Sequence, residues 1–141
     1  ELAGLSLQCN PPFDAWTLHQ VACTVEDLLQ RASSSQAPVS IVCTVPAWPG
    51  WPLDRLAQSP FCRHCIVLAK EDHAYITGSQ HHASVKAKHR RVMFECASWL
   101  LFLQNDAAAA LWPASEVQVE KLRAGWMPDQ CAKSRQTKGG K

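Results

Sequence analysis

Apolar and polar positions along the chain divide it into alternating strands and helices. Leu5-Ser6-Leu7-Gln8-Cys9 is a short apolar run and reads as a buried strand. From Asp14 to about Arg31, the residues Leu18, Val21, Ala22, Val25, Leu28 and Leu29 recur at helical spacing and predict an amphipathic helix. Ser33-Ser34-Ser35 and Pro38 end it. Val39-Ser40-Ile41-Val42-Cys43-Thr44-Val45 is a β-branched run and predicts a central buried strand. Strand, helix and strand between Leu5 and Val45 make one β-α-β unit, hence a parallel pair.

The pattern after Val45 is less regular. Pro46-Ala47-Trp48-Pro49-Gly50-Trp51-Pro52 is too rich in proline for a helix or strand and reads as a loop. If the strands are parallel, its two tryptophans lie at the same sheet end as the residues after Cys9. Leu53 to Gln58 reads as a short helix and His64 to Leu68 as a further strand. Residues 70–90 show no period and read as a long polar loop, a kind of segment that is usually functional or mobile. Val92 to Leu103 is a long apolar stretch whose pattern also fits a strand preceded by a helical turn. Ala107 to Ala110 and a segment capped by Ser115, Glu116 to Ala124, read as helices. The organisation expected is one domain over 1–127 and a basic, disordered tail over 128–141.

Composition narrows the class. The chain is 47% hydrophobic and 18% charged, as folded domains are. No apolar run reaches membrane-spanning length, so no membrane partner is expected. The net charge of +2 is unevenly spread: residues 1–61 carry two basic groups against five acids, residues 62–141 twelve against seven. The excess gathers in Lys86-Ala87-Lys88-His89-Arg90-Arg91 and in the tail, and suits a polyanionic partner. Seven cysteines at irregular spacing, with no secretory leader at Glu1-Leu2-Ala3-Gly4, read as reduced intracellular thiols. Cys62-Arg63-His64-Cys65 is formally a C-x-x-C, but its candidate partners His73, His81, His82 and His89 are scattered, so no metal site is expected.

Asn10-Pro11-Pro12-Phe13 carries the most specific chemistry. Two prolines after the strand fix φ and offer no N–H, so they force a stiff turn. Ligands of open α/β sheets bind at the carboxyl ends of strands. There, an amide oxygen and a proline carbonyl can both accept hydrogens from an exocyclic amine, while an aromatic face stacks on its ring. Such an arrangement leaves the amine lone pair aimed at an electrophile, which is the requirement of amino-group methylation.

Further segments extend the reading. Ser59-Pro60-Phe61-Cys62-Arg63-His64, Gly78-Ser79-Gln80-His81, Phe102-Leu103-Gln104-Asn105-Asp106 and Trp112-Pro113 follow the turn in order. Together, over roughly residues 5–125, they resemble the C-terminal part of the catalytic domain of the phosphorylated-CTD-interacting-factor family, whose best-known members are cap-specific adenosine N6-methyltransferases. The resemblance implies a Rossmann-like class I methyltransferase fold, of which this chain holds the C-terminal half of the sheet and lacks the N-terminal donor-binding half. It implies S-adenosylmethionine as donor, capped mRNA as substrate, the phosphorylated C-terminal domain of RNA polymerase II as a partner, and the nucleus as location. Carried over, Asn10 and the Pro11 carbonyl hold the amine, Pro12 keeps the turn rigid, and Phe13 stacks on adenine. Asn10 also faces the donor.

Other candidates surround this turn. Trp48 is placed at the border of the base or cap pocket. Arg63 and His64, and the loop residues Ser79, Gln80 and His81, are candidate RNA contacts, while Lys86, Lys88, Arg90 and Arg91 are candidates to track phosphates. The sequence departs from the family in one main respect: nine residues precede Asn10, and no G-x-G follows any strand. The expectation is therefore half an enzyme, inactive alone. The alternative is a catalytically inactive RNA- or polymerase-associated binding module of the same fold.

Overall fold

The computed structural model describes residues 4–48, 50, 52–76, 91–92 and 95–126, with the backbone alone at 91–92. Strand β1 (Leu5–Cys9) leads through the Asn-Pro-Pro-Phe turn into helix α1 (Ala15–Ser34), which returns to β2 (Val39–Pro46). α1 starts where Asp14, with extended backbone, accepts the Thr17 N–H at 2.9 Å. It stops at the serines, with Ser34 its last residue and Ser35 its C-cap. Gln36 takes a φ of +56°, and the Ala37 and Gln36 N–H groups bond back to the Ala32 and Ser33 carbonyls at 3.0 and 3.2 Å. β1 and β2 are parallel, with Leu5 opposite Val39 and Cys9 opposite Cys43, as the β-α-β pattern requires.

After β2 come helix α2 (Pro52–Ala57), strand β3 (Cys62–Leu68), the short pair β4 (Tyr75–Ile76) and β5 (Arg91–Val92), strand β6 (Ser98–Gln104), and helices α3 (Asp106–Leu111) and α4 (Glu116–Trp126). β6 runs antiparallel to both β2 and β3, giving a four-stranded mixed sheet in the order β1-β2-β6-β3. β4 and β5 pair separately and antiparallel. The chain is thus a mixed α/β fold.

The sheet separates two apolar layers. Val39, Ile41, Cys43 and Val45 alternate toward α1 and α2, meeting Leu18, Val25, Leu29, Leu53 and Leu56, with Leu101 and Leu103 from β6. The opposite face carries Ile66, Leu68 and Leu100 beneath Val119, Leu122 and Trp126 of α4. Plain alternation would put Cys62 on the same face as Ile66 and Leu68. A register irregularity at Arg63 intervenes, so Cys62 joins the α1 layer while Ile66 and Leu68 join the α4 layer. Ser115 caps α4 reciprocally with Gln118: each backbone N–H is accepted by the other's side chain, at 3.0 and 3.3 Å.

Three expectations need correction. β1 is not a buried strand: Ser6, Leu7 and Gln8 are exposed, because among the described residues β1 pairs on one side only. The apolar stretch from Val92 holds no helical turn among its described residues. Val92 belongs to β5, bends follow at Glu95–Cys96, and β6 begins at Ser98. The polar loop 70–90 contains the strand Tyr75–Ile76 and the fully buried His73. The basic tail and its boundary lie outside the described residues.

Candidate functional site

Parallel pairing brings the carboxyl ends of β1 and β2 together. The Asn10-Pro11-Pro12-Phe13 turn leaves β1 there, with Asn10 and Pro12 exposed and Pro11 and Phe13 half-buried. Asn10 therefore presents its amide to solvent at a strand end, on a backbone that the two prolines hold stiff.

Phe13 is set by a cluster that the sequence did not disclose. Its ring meets Tyr75 edge-to-face, centroids 5.6 Å apart and planes at 90°. Tyr75 in turn contacts His73 at 5.5 Å and Trp126 at 5.8 Å, and its hydroxyl bonds the Ser98 hydroxyl at 2.8 Å. His73, fully buried, uses both ring nitrogens, one on the Ser98 hydroxyl at 2.9 Å and one on the Ala69 carbonyl at 2.7 Å. Burial raises the Tyr75 hydroxyl pKa, with the Ser98 bond partly opposing it, so the phenol stays protonated and able to donate. β4 and the start of β6 thus build a polar-centred aromatic wedge under Phe13. Tyr75 lies in a stretch without period, which is why pattern alone missed it.

A cleft of about 320 Å³ opens on the α4 side of the sheet. Ser6, Gln8, Val42, Thr44 and Leu100 form its floor, and Leu122 and Trp126 its wall. Through Trp126 it adjoins Tyr75 and hence the turn. The Thr44 hydroxyl, 1% exposed, lines this cleft and finds no hydrogen-bond partner among the described residues.

Below the turn, on the α1 side, Cys9 and Cys43 face one another across the β1–β2 ladder. The neighbouring Cys43 thiol holds the Cys9 pKa down to about 7, against the opposing effect of burial. Cys9, then burial, pushes Cys43 up.

The remaining candidates are not gathered at this turn. Trp48 follows β2 at the same sheet end, but its half-buried ring packs against the α1-side core. His64 lies level with Gln8 in the register but three strands across, roughly 14 Å by usual strand spacing. Its ring bonds the Ala114 carbonyl at 2.9 Å and packs edge-on against Phe102. Arg63 pairs with Asp106 at the start of α3, beside the amino end of β2. Both are held in structural contacts away from the turn. Ser79, Gln80, His81, Lys86, Lys88 and Arg90, and the side chain of Arg91, lie outside the described residues. Among the described residues no group of three or more His, Cys, Asp or Glu is arranged to hold a metal ion, and no helix is long and apolar enough to cross a membrane.

Comparison with known proteins converges on one family. Residues 2–78, more than half of the chain, match the family described as "Phosphorylated CTD interacting factor 1 WW domain". The described part of that stretch builds β1-α1-β2-α2-β3 and β4. Over 124 residues the chain is 33% identical to a human protein and to a mouse protein, each named mRNA (2'-O-methyladenosine-N(6)-)-methyltransferase. Those alignments take in 86% of this chain and 17% of each relative. The turn, Tyr75 and the β-α-β frame all fall within residues 2–78, and the chain belongs to the phosphorylated CTD interacting factor 1 family.

Proposed function

We propose that this chain forms the acceptor side of an RNA adenosine N6-methyltransferase acting on the cap-adjacent adenosine of mRNA. The observation that carries the reading is an exposed Asn10 on a proline-stiffened turn at the carboxyl end of β1, with Phe13 locked by Tyr75. The adenine amine donates its two hydrogens to the Asn10 side-chain oxygen and the Pro11 carbonyl. Phe13 stacks on the base. Because Pro12 and Tyr75 fix these groups in advance, little ordering remains for the moment of reaction. The amine sheds its extra proton to solvent at exposed Asn10. The fold proposed is the C-terminal half of a Rossmann-like sheet, in a domain spanning 1–127, with β1 as the edge to which further strands add. A nuclear location and the phosphorylated polymerase tail as a partner belong to the same proposal.

S-adenosylmethionine would supply an electrophilic methyl carbon. The described residues fit the base better than this donor. Gly4 precedes β1, and Gly50, between β2 and α2, already donates its N–H to the Asp54 carboxylate at 2.7 Å. Asn10 is the one side chain proposed to face both molecules, and no step is routed through the donor. The same observation favours a second reading, a catalytically inactive RNA-binding module.

A transfer assay separates the two. Labelled S-adenosylmethionine is supplied with capped and uncapped adenosine-start RNA, to this chain alone and to the mouse relative carrying this chain in place of its matching segment. Cap-dependent labelling by the chimera supports the enzyme. A chimera that folds and binds capped RNA yet transfers nothing selects the inactive module.

A further inference from the structure

The cysteines beneath the turn have a chemistry of their own. Cys9 and Cys43 are direct partners in the parallel ladder. Adjacent strands run about 4.8 Å apart, within the Cα separation of about 4.4–6.8 Å that a disulfide spans. Cys9 is half-buried on β1, which pairs on one side only among the described residues, so a small reagent can reach it in this chain, whereas Cys43 is fully buried behind it. Cys43 beside it, acting against burial, holds the Cys9 thiol pKa down to about 7 and is itself pushed up, so Cys9 is the more acidic of the pair. Cys62, on the same layer, does not compete: burial, then Cys65, pushes its thiol up to about 11, and it donates to the His64 carbonyl at 3.5 Å.

We propose that Cys9 and Cys43 form a reversible thiol-oxidation site, Cys9 attacking and Cys43 resolving, with a low-molecular-weight disulfide such as oxidised glutathione as the oxidant. The Cys9 thiolate attacks one sulfur of the oxidant. That S–S bond breaks, a Cys9–glutathione mixed disulfide forms, and one glutathione leaves as thiolate. Cys43 sulfur then attacks Cys9 sulfur, and the second glutathione leaves carrying the Cys43 proton. Two protein thiols are oxidised to one disulfide, and one glutathione disulfide is reduced to two thiols. Cys9 directly precedes Asn10, so the new bond ties down the strand end that bears the turn. An effect on methyl transfer rests on the function proposed above; the thiol chemistry does not.

The test treats the 141-residue chain with oxidised glutathione at neutral pH, then maps free thiols by alkylation and mass spectrometry. Cys9 should be blocked at least about threefold faster than exposed Cys23 and end joined to Cys43, with both recovered by dithiothreitol. In Cys43→Ala the reaction should stop at the mixed disulfide, and the pH midpoint of Cys9 alkylation should rise from about 7 toward the ordinary thiol value near ~8.5. In Cys9→Ser, Cys43 should stay reduced. Cys9 reacting no faster than Cys23, or Cys43 remaining alkylatable once Cys9 is modified, overturns the proposal. Every readout is of thiols, so failure of the methyltransferase reading leaves the result interpretable.

Discussion

Asn10 and Asn105 both end strands and do opposite things. Asn10 is exposed and belongs to the proposed chemistry. Replacing it with Ala in the transferring chimera should cut turnover about 10²-fold or more, as loss of a positioned polar group does. Turnover within threefold of the parent chimera would remove Asn10 from its role. Asn105 is fully buried and sews three segments together: its oxygen accepts from Val39 N–H at 3.1 Å and Ala108 N–H at 3.0 Å, and its amide donates to the Ala37 carbonyl at 2.7 Å. The polar trio Gln104-Asn105-Asp106 thus satisfies a turn and caps α3. Asn105→Ala strands buried backbone groups at ~1–3 kcal/mol each, so a loss of about 3 kcal/mol in denaturant unfolding is expected. A loss under about 1 kcal/mol would mean water replaces the amide without strain.

Elements were legible where one period ran long enough and obscure where local geometry overrode it. α1 was clear because Leu18, Ala22, Val25 and Leu29 repeat on one face, and all are buried. β2 was clear because it is buried on both faces and β-branched. The irregularity at Arg63, the break before Ser98 and the pairing of Tyr75 leave no periodic trace, so β3, β6 and the wedge under Phe13 were blurred or missed. The candidate site was legible as a turn from four residues, yet its supports arrive from 60 or more positions away, through Tyr75 and Ser98. α1 ends at the serines that the pattern named, and just beyond its cap Gln36 adopts a left-handed φ of +56°. A residue with a Cβ pays for that conformation, whereas glycine does not. Gln36→Gly should therefore raise stability by about 1 kcal/mol, read as a higher thermal midpoint. A lower midpoint would mean the Gln36 side chain, which donates to the Ser33 carbonyl at 3.1 Å, outweighs the backbone strain.

At the scale of the molecule, charge is divided along the chain. The acidic excess lies in residues 1–61, the basic excess after them. Lys86-Ala87-Lys88-His89-Arg90-Arg91 contains no acid, and its last residue enters β5, where Arg91 pairs with Ile76 and Val92 with Tyr75. The backbone register therefore delivers the end of the basic run beside the residue that contacts Phe13. If Asn10 holds a base as proposed, the phosphates flanking that base are the natural partners of this basic run. Each phosphate neutralised on a single strand contributes ~0.7 to the log–log salt dependence of binding. Replacing Lys86, Lys88, Arg90 and Arg91 together with Ala should thus weaken RNA binding at low salt and flatten the slope by up to about 2.8. The same replacement should leave thermal stability within a few degrees, which separates lost contacts from lost fold. An unchanged slope would mean that the run is a solvated face and that RNA reaches the turn by another path.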